Sequence, residues 1–188
     1  MDGRRDHFET LGLERRLDLE EESLRTRYDE RCREVHPDAG GEAGEFDAVR
    51  EAYACLSSPM RRLRHWLELA GVEVVEGGSL PGSVVDRFGE IGTLLRETEE
   101  LAKRHGSARS ALGRSVVEAE GLALQVRLGE VRGGVESAIG ELVALFAEFE
   151  AAGARGIGEE AAETARALAF LEKWEGQLRA AWAQAGCW

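Results

Sequence analysis

The chain has 188 residues, enough for one large domain or two small ones. Its hydrophobic fraction of 43% allows buried cores, and its few prolines and aromatic residues favour an all-α fold. The formal charge of −12 argues against nucleic acid or an anionic membrane as the main partner, because both require a basic face.

Four helices are predicted in the first part of the chain, over residues of about 7–12, 19–36, 44–57 and 59–70. Asp6 and Asp18 each precede a glutamate by three residues, which is the spacing of a helix cap. Ser58 and Pro59 predict the start of the fourth helix, with serine as the cap and proline in the first helical turn.

The second part of the chain predicts three more helices, over about 84–104, 112–149 and 159–184. Ser83 is the predicted cap of the first. The long central segment carries apolar residues at near-heptad steps, which is typical of antiparallel bundle packing: Leu112, Val116, Ala119, Leu122, Val126, Val131, Val135, Ile139, Leu142, Phe146 and Phe149. Each interior glycine costs about 0.5–1 kcal/mol against alanine. A break near Gly133-Gly134 is therefore one alternative to an uninterrupted helix.

The cysteines and the first residues of the chain indicate the cellular compartment of the protein. Cys32, Cys55 and Cys187 are widely spaced, and the first two fall at apolar helical positions, so buried thiols in a reducing compartment are expected. The first residues lack the apolar run of a secretory signal, and no apolar stretch approaches membrane-spanning length. These features predict a cytoplasmic protein that does not contact a membrane.

The tripeptide His36-Pro37-Asp38 stands where one predicted helix ends and before the next begins. Proline stops the helix and stiffens the connection, which reduces the entropy lost on docking. Histidine and aspartate offer polar contacts at the end of a rigid helix. An ordinary helix–loop–helix turn could contain the same residues, so the tripeptide alone is not specific.

In its setting, this tripeptide resembles the motif of a J-domain, the module that stimulates ATP hydrolysis by DnaK-class heat-shock chaperones. That setting includes Asp6-His7-Phe8 upstream, and Gly40-Gly41 and Tyr53 downstream. The resemblance implies an antiparallel helix pair whose connecting loop, His36-Pro37-Asp38, contacts the chaperone. It also implies that the chain has no catalytic group of its own.

The family also uses basic residues on the helix before the motif to meet an acidic chaperone surface. Arg27 and Arg31 are the preferred contacts, because like charges one turn apart are not favoured by helix stability alone. The alternative is a solvated face of ion pairs such as Arg27–Glu30. Ala39 stands where the family usually has lysine.

Residues 58–71 resemble the Pro-x-x-Arg-x-x-Tyr-Leu-Leu-x-x-x-Gly passage of the HscB family, with Arg62 at the family's arginine. The later segment Phe170-Leu171-Glu172-Lys173 matches its Phe-Leu-Asp-Lys. The resemblance implies a J-domain followed by a three-helix bundle. The predicted domains are a J-domain over 1–71, a linker over 72–82 and a C-terminal bundle over 83–188. The implied partners are a DnaK/HscA-class chaperone and, as client, the iron–sulfur cluster scaffold protein.

In the HscB family the bundle holds the scaffold protein through apolar side chains. Carried over to this sequence, the resemblance implies Phe170 and, less securely, Phe88 and Ile91 as contacts. A shift of one turn would substitute Leu94 or Leu95. Phe88 and Ile91 also lie on the apolar stripe of their own helix, so a core role is the alternative for both.

No catalytic site, cofactor site or metal site is predicted. No nucleophile–base spacing or phosphate-binding glycine loop stands out, and the four histidines do not cluster in sequence. His36 with Asp38 is a weak metal candidate, because other ligands are not apparent. Two alternatives stay open: a J-domain adaptor for a different client, and a helical interaction protein with a chance tripeptide.

Overall fold

A computed structural model describes residues 5–36, 43–72 and 78–187. In these ranges all the regular secondary structure is α-helical, as predicted, and turns and loops connect the helices. The helices are α1 (His7–Thr10), α2 (Glu21–Glu34), α3 (Ala43–Leu56), α4 (Pro59–Leu69), α5 (Gly82–Val85), α6 (Phe88–Ser107), α7 (Ala111–Ala144), α8 (Phe146–Ala152) and α9 (Gly158–Ala185). None of the helices in the described part of the chain has the length and apolar character that crossing a membrane requires.

Two of the four predicted helix caps are confirmed. The Asp6 carboxylate accepts hydrogen bonds from the backbone N–H groups of Phe8 and Glu9, and so satisfies donors of the first turn of α1. The Ser58 hydroxyl accepts from the Arg61 N–H at 3.2 Å, with Pro59 as the first residue of α4.

The other two predicted caps are wrong. Helix α2 begins after Glu20, and no side chain caps it, so Asp18 lies outside the first turn. Ser83 lies inside α5, because Pro81 stands at the entry to that helix, two residues before the predicted cap. A cap spacing identifies a candidate start, but the preceding backbone conformation decides where the helix begins.

The chain divides into two compact units. The first comprises Met1–Gly78 with Leu142–Arg166, and the second comprises Ser79–Glu141 with Ala167–Trp188. Residues 142–166, which the sequence assigns to the bundle, therefore pack with the N-terminal residues. The domain boundaries at 71 and 83 stay a prediction.

One core cluster of the first unit joins α1, α2 and α3. Its buried residues are Phe8, Leu11, Leu24, Val35, Val49, Ala52 and Leu56. Tyr28 of α2 stacks on Tyr53 of α3 with ring centroids 4.3 Å apart. These contacts join the end of α2, where the tripeptide begins, to α3.

A buried arginine connects α4 to two other helices of the first unit. Arg62 is 6% exposed, and its Nη1 donates to the carbonyl of Leu56 at 3.1 Å, at the end of α3. Its guanidinium also lies over the ring of Phe146 in α8, 5.6 Å from the centroid. The arginine that marks the HscB-like passage therefore has a packing role in this fold.

In the second unit, α7 runs without a break through Gly133-Gly134. The predicted apolar stripe on the first half of this helix is wrong, because Leu112, Val116, Leu122 and Val126 are exposed. The buried residues in this half are instead Val117, Gly121, Leu124 and Leu128, whereas Val135 of the predicted stripe is buried as expected. Apolar residues occur on two faces of α7, so periodicity alone does not identify the packed one.

Candidate functional site

His36 comes directly after Val35, the residue that caps the C-terminal end of α2, and its side chain is exposed. Its ring meets the ring of Phe46 on α3 edge-on, with centroids 5.6 Å apart. Val35, the preceding residue, is buried and anchors this end of the helix. The remaining residues of the predicted contact loop, Pro37 and Asp38, lie outside the described residues.

A groove of about 550 Å³ lies beside His36. Its lining combines aromatic rings, a thiol and two opposite charges: Tyr28, Asp29, Cys32, Arg33, His36 and Phe46. Apolar walls with a few charged groups are suited to holding a segment of another protein. The exposed imidazole therefore belongs to a concave surface that both α2 and α3 form.

The two predicted arginine contacts have different surroundings. Arg27 is exposed and pairs with Glu30 at 3.1 Å, as the sequence predicts. Arg31 donates from Nε to the carbonyl of Thr10 at 3.2 Å and also pairs with Glu34. Arg31 thus ties α2 to the end of α1, whereas Arg27 forms an exposed ion pair of small energetic worth.

Phe88 and Phe170 lie together in the second unit, and with Trp174 they form what we call the aromatic patch. Phe88 contacts Phe170 with centroids 5.7 Å apart and Trp174 with centroids 4.6 Å apart, both edge-on. Phe88 is 43% exposed and Phe170 is partly exposed, whereas Trp174 is buried beneath them. Exposed aromatic rings on a rigid base are typical of binding surfaces.

Ile91 requires a correction. Its side chain is 1% exposed, so it packs in the core of the second unit and is not available to a partner. Leu94, its alternative after a one-turn shift, is equally buried. Because α6 turns this face inward, the core role that the stripe also allowed is the one that the burial supports.

The structure brings together three residues that the sequence gave no reason to group. Side-chain ligand atoms of His7, Cys55 and His65, which we call the His–Cys cluster, all lie within 4.8 Å of one another. His7 comes from α1, Cys55 from α3 and His65 from α4. Their separations along the chain match no motif spacing, so only tertiary packing could reveal them.

The protonation of the His–Cys cluster argues against a nucleophilic role. Burial raises the pKa of the Cys55 thiol to about 11, so the thiol keeps its proton at neutral pH. Burial, and then the neighbouring His7, lower the pKa of His65, which favours its neutral form. A neutral pair of this kind lacks the thiolate that cysteine catalysis needs.

Comparison with known proteins identifies the N-terminal region. Residues 6–65 match the family model of the DnaJ domain. The co-chaperone protein HscB of Proteus mirabilis is 31% identical over 80 residues, which are 37% of this chain and 45% of that protein. The chaperone protein DnaJ of Hyphomonas neptunium is 39% identical over 83 residues, which are 42% of this chain and 20% of that protein. The chain thus spans less than half the length of these curated relatives.

The fold of the whole chain resembles a solved structure. The chaperone HscB from Vibrio cholerae superposes with a TM-score of 0.51 at 18% identity, and the match covers 94% of this chain and 96% of that one. Together with the DnaJ-domain match, this likeness confirms the predicted J-domain and the predicted all-α, HscB-like fold. The J-domain family is non-enzymatic, which agrees for residues 6–65 with the prediction of no catalytic group.

Proposed function

We propose that this J-domain protein of HscB-like fold is a co-chaperone that stimulates ATP hydrolysis by a DnaK/HscA-class heat-shock chaperone. The observation that carries the proposal is the exposed His36, held at the end of α2 beside Phe46 within the DnaJ-domain match. His36, Pro37 and Asp38 form the proposed contact loop. A cytoplasmic location is part of the proposal, which the three free cysteines support.

The proposed mechanism is a population shift in the partner. A protein without catalytic groups can accelerate hydrolysis only if it binds the hydrolysis-competent state of the chaperone more tightly than the resting state. Rigid presentation helps, because little side-chain entropy remains to be lost when the imidazole docks. Arg27 would attract an acidic surface of the chaperone, because its exposed ion pair with Glu30 can be given up at little cost to the fold.

Single-turnover ATP hydrolysis by the cognate chaperone tests this function. We expect wild type to accelerate hydrolysis and His36→Gln to lose the stimulation while its circular dichroism stays unchanged. His105→Gln, at a histidine in α6 of the second unit, is the matched control and should stimulate like wild type. Full stimulation by His36→Gln would refute the proposal.

The two arginines can be separated in the same assay. Arg27→Ala should weaken stimulation in a salt-dependent way and leave thermal stability nearly unchanged, because its ion pair is exposed. Arg31→Ala should lower both, because it also removes the hydrogen bond to the Thr10 carbonyl. Equal effects of the two substitutions on stability would contradict this distinction.

The client that we propose is an iron–sulfur cluster scaffold protein, bound through Phe88 and Phe170. The support is the aromatic patch, which combines partial exposure with ring contacts that hold it rigid. A different client remains the second candidate, because Gly89 and Gly92 stand in the turn where the resembled family has acidic contacts.

Binding of the scaffold protein, measured by calorimetry, distinguishes these two clients. Phe170→Ala should weaken binding by about 1–3 kcal/mol if the ring is an anchor, which is about 5–150-fold. Trp182→Ala is the control, because Trp182 is also an exposed aromatic residue of α9 but lies outside the aromatic patch. Unchanged affinity of Phe170→Ala would favour the different client.

A further inference from the structure

We propose that His7, Cys55 and His65 bind a zinc ion that ties α1, α3 and α4 together. Two imidazoles and one thiol are a ligand set that Zn²⁺ accepts, and a water molecule would complete the tetrahedron. Hard cations such as Mg²⁺ and Ca²⁺ prefer oxygen ligands and do not suit these groups. The site is separate from the proposed docking residues and does not depend on the proposed function.

The geometry of the His–Cys cluster is close to that of a zinc site. Bonds of about 2.0–2.1 Å to nitrogen and about 2.3 Å to sulfur place the ligand atoms of a tetrahedral site with two nitrogens and one sulfur about 3.3–3.6 Å apart. The ligand atoms of the cluster lie within 4.8 Å of one another. Side-chain rotations that move each atom by about 1 Å or less would close the difference, which leaves the three helices in place.

Two nitrogens of the cluster are suited to a metal. His7 Nδ1 is buried and has no hydrogen-bond partner among the described residues, an arrangement that costs about 1–3 kcal/mol and that a coordinated ion would relieve. His65 Nε2 accepts a hydrogen bond from the backbone N–H of His7 at 3.1 Å, so this nitrogen carries a lone pair. On binding, the ion would take the place of that hydrogen bond.

The surroundings of the cluster add negative charge and restrict solvent. Asp6 Oδ1 lies 3.8 Å from His65 Nε2, although Arg15 shares the charge of this carboxylate through a 2.6 Å contact to Oδ2. His65 is 5% exposed, while His7 and Cys55 are partly exposed, which leaves an entry path for the ion. Binding would release the Cys55 proton, because only the thiolate coordinates.

Cobalt and zinc titrations of the full chain test the site. The background is Cys187→Ser, which removes an exposed thiol that could bind metal on its own. We expect one equivalent of Co²⁺ to give the near-ultraviolet absorption of a thiolate–cobalt bond. Cys55→Ser should abolish this absorption, whereas Cys32→Ser, which alters another half-buried thiol of the same unit, should retain it.

The imidazole ligands and the stability effect are tested in the same background. His7→Gln should lower the affinity for Zn²⁺ more than about a hundredfold, measured in competition with a chromophoric chelator. Even residues that only hydrogen-bond to a metal ligand contribute about 10–100-fold to metal affinity. Zn²⁺ should raise the melting temperature of the background protein and not that of Cys55→Ser. The proposal is overturned by an absence of stoichiometric binding at micromolar metal, by cobalt absorption that survives Cys55→Ser, or by a melting temperature that Zn²⁺ does not change.

Discussion

Replacing Arg62 by methionine tests whether this buried cation stabilises the first unit. The substitution keeps an apolar stem but removes the guanidinium, which donates to the Leu56 carbonyl at 3.1 Å and lies over the Phe146 ring. The hydrogen bond is worth about 1.5–3 kcal/mol because the donor is charged. The contact with the ring adds about 0.5–2 kcal/mol. The methionine variant no longer buries a charge, and the desolvation free energy that this saves offsets part of the lost stability.

We therefore expect Arg62→Met to reduce the free energy of unfolding by about 1–3 kcal/mol. For a chain of this length, that corresponds to a melting temperature lower by about 2–12 °C. Urea and thermal unfolding, followed by far-ultraviolet circular dichroism, measure both quantities. Arg61→Met is the matched control, because Arg61 is the exposed neighbour in the same turn of α4 and should change stability by less than about 0.5 kcal/mol.

A variant Arg62→Met that equals or exceeds wild type in stability would refute this reasoning. It would mean that the cost of taking the guanidinium out of water is larger than the worth of its two contacts. Arg62→Ala should be more damaging than Arg62→Met, because it also removes the apolar stem that packs at this 6% exposed position. The reverse order would show that methionine is strained in the site.

The remaining predictions concern backbone, cap and core. Gly133→Ala should raise the free energy of unfolding by about 0.5–1 kcal/mol, because a Cβ there meets no atom within 4 Å in a continuous helix, whereas Gly153→Ala, at φ +76°, should lower it. Ser58→Ala should lower stability by about 0.5–2 kcal/mol in thermal unfolding, because it removes the cap of α4. Ile91→Ala should lower the free energy of unfolding by about 2–5 kcal/mol in urea, while the folded protein binds its client normally. Phe88→Ala should weaken client binding and change the free energy of unfolding less than Ile91→Ala does.

The local chemistry of the first unit could be predicted from the sequence. The acceptor at Asp6 and the serine–proline pair at Ser58-Pro59 act within one helical turn, so a short stretch of sequence contains the whole interaction. The exposed imidazole at His36 is equally local, because the following proline ends helical geometry at that residue. The family resemblance implied Phe88 and Phe170 as contacts of a client, but the packing of the two rings could not be predicted, since they lie on different helices.

The face of α7 could not be predicted in the same way. Apolar side chains lie on two faces of its N-terminal half, and the predicted face, which includes Leu122 and Val126, is the exposed one. Gly121, Leu124 and Leu128 lie on the buried face instead. A hydrophobic stripe shows which residues can be buried together, and the partner helix decides which of them are.

The groups that escaped prediction share a physical cause. From the sequence alone, Arg62 is expected to be a surface cation. In the structure its guanidinium lies over the ring of Phe146, which is 84 positions later in the chain. Similarly, the backbone N–H of Leu17 finds its acceptor in the Glu150 carboxylate. The His–Cys cluster forms because tertiary packing sets His7 of α1 beside Cys55 of α3 and His65 of α4. A polar group buried by such distant contacts is satisfied by whatever partner the fold supplies, and no local spacing rule encodes that partner. His7 Nδ1 has no hydrogen-bond partner in the described part of the chain, and for that reason a metal ion is a specific hypothesis there rather than a general one.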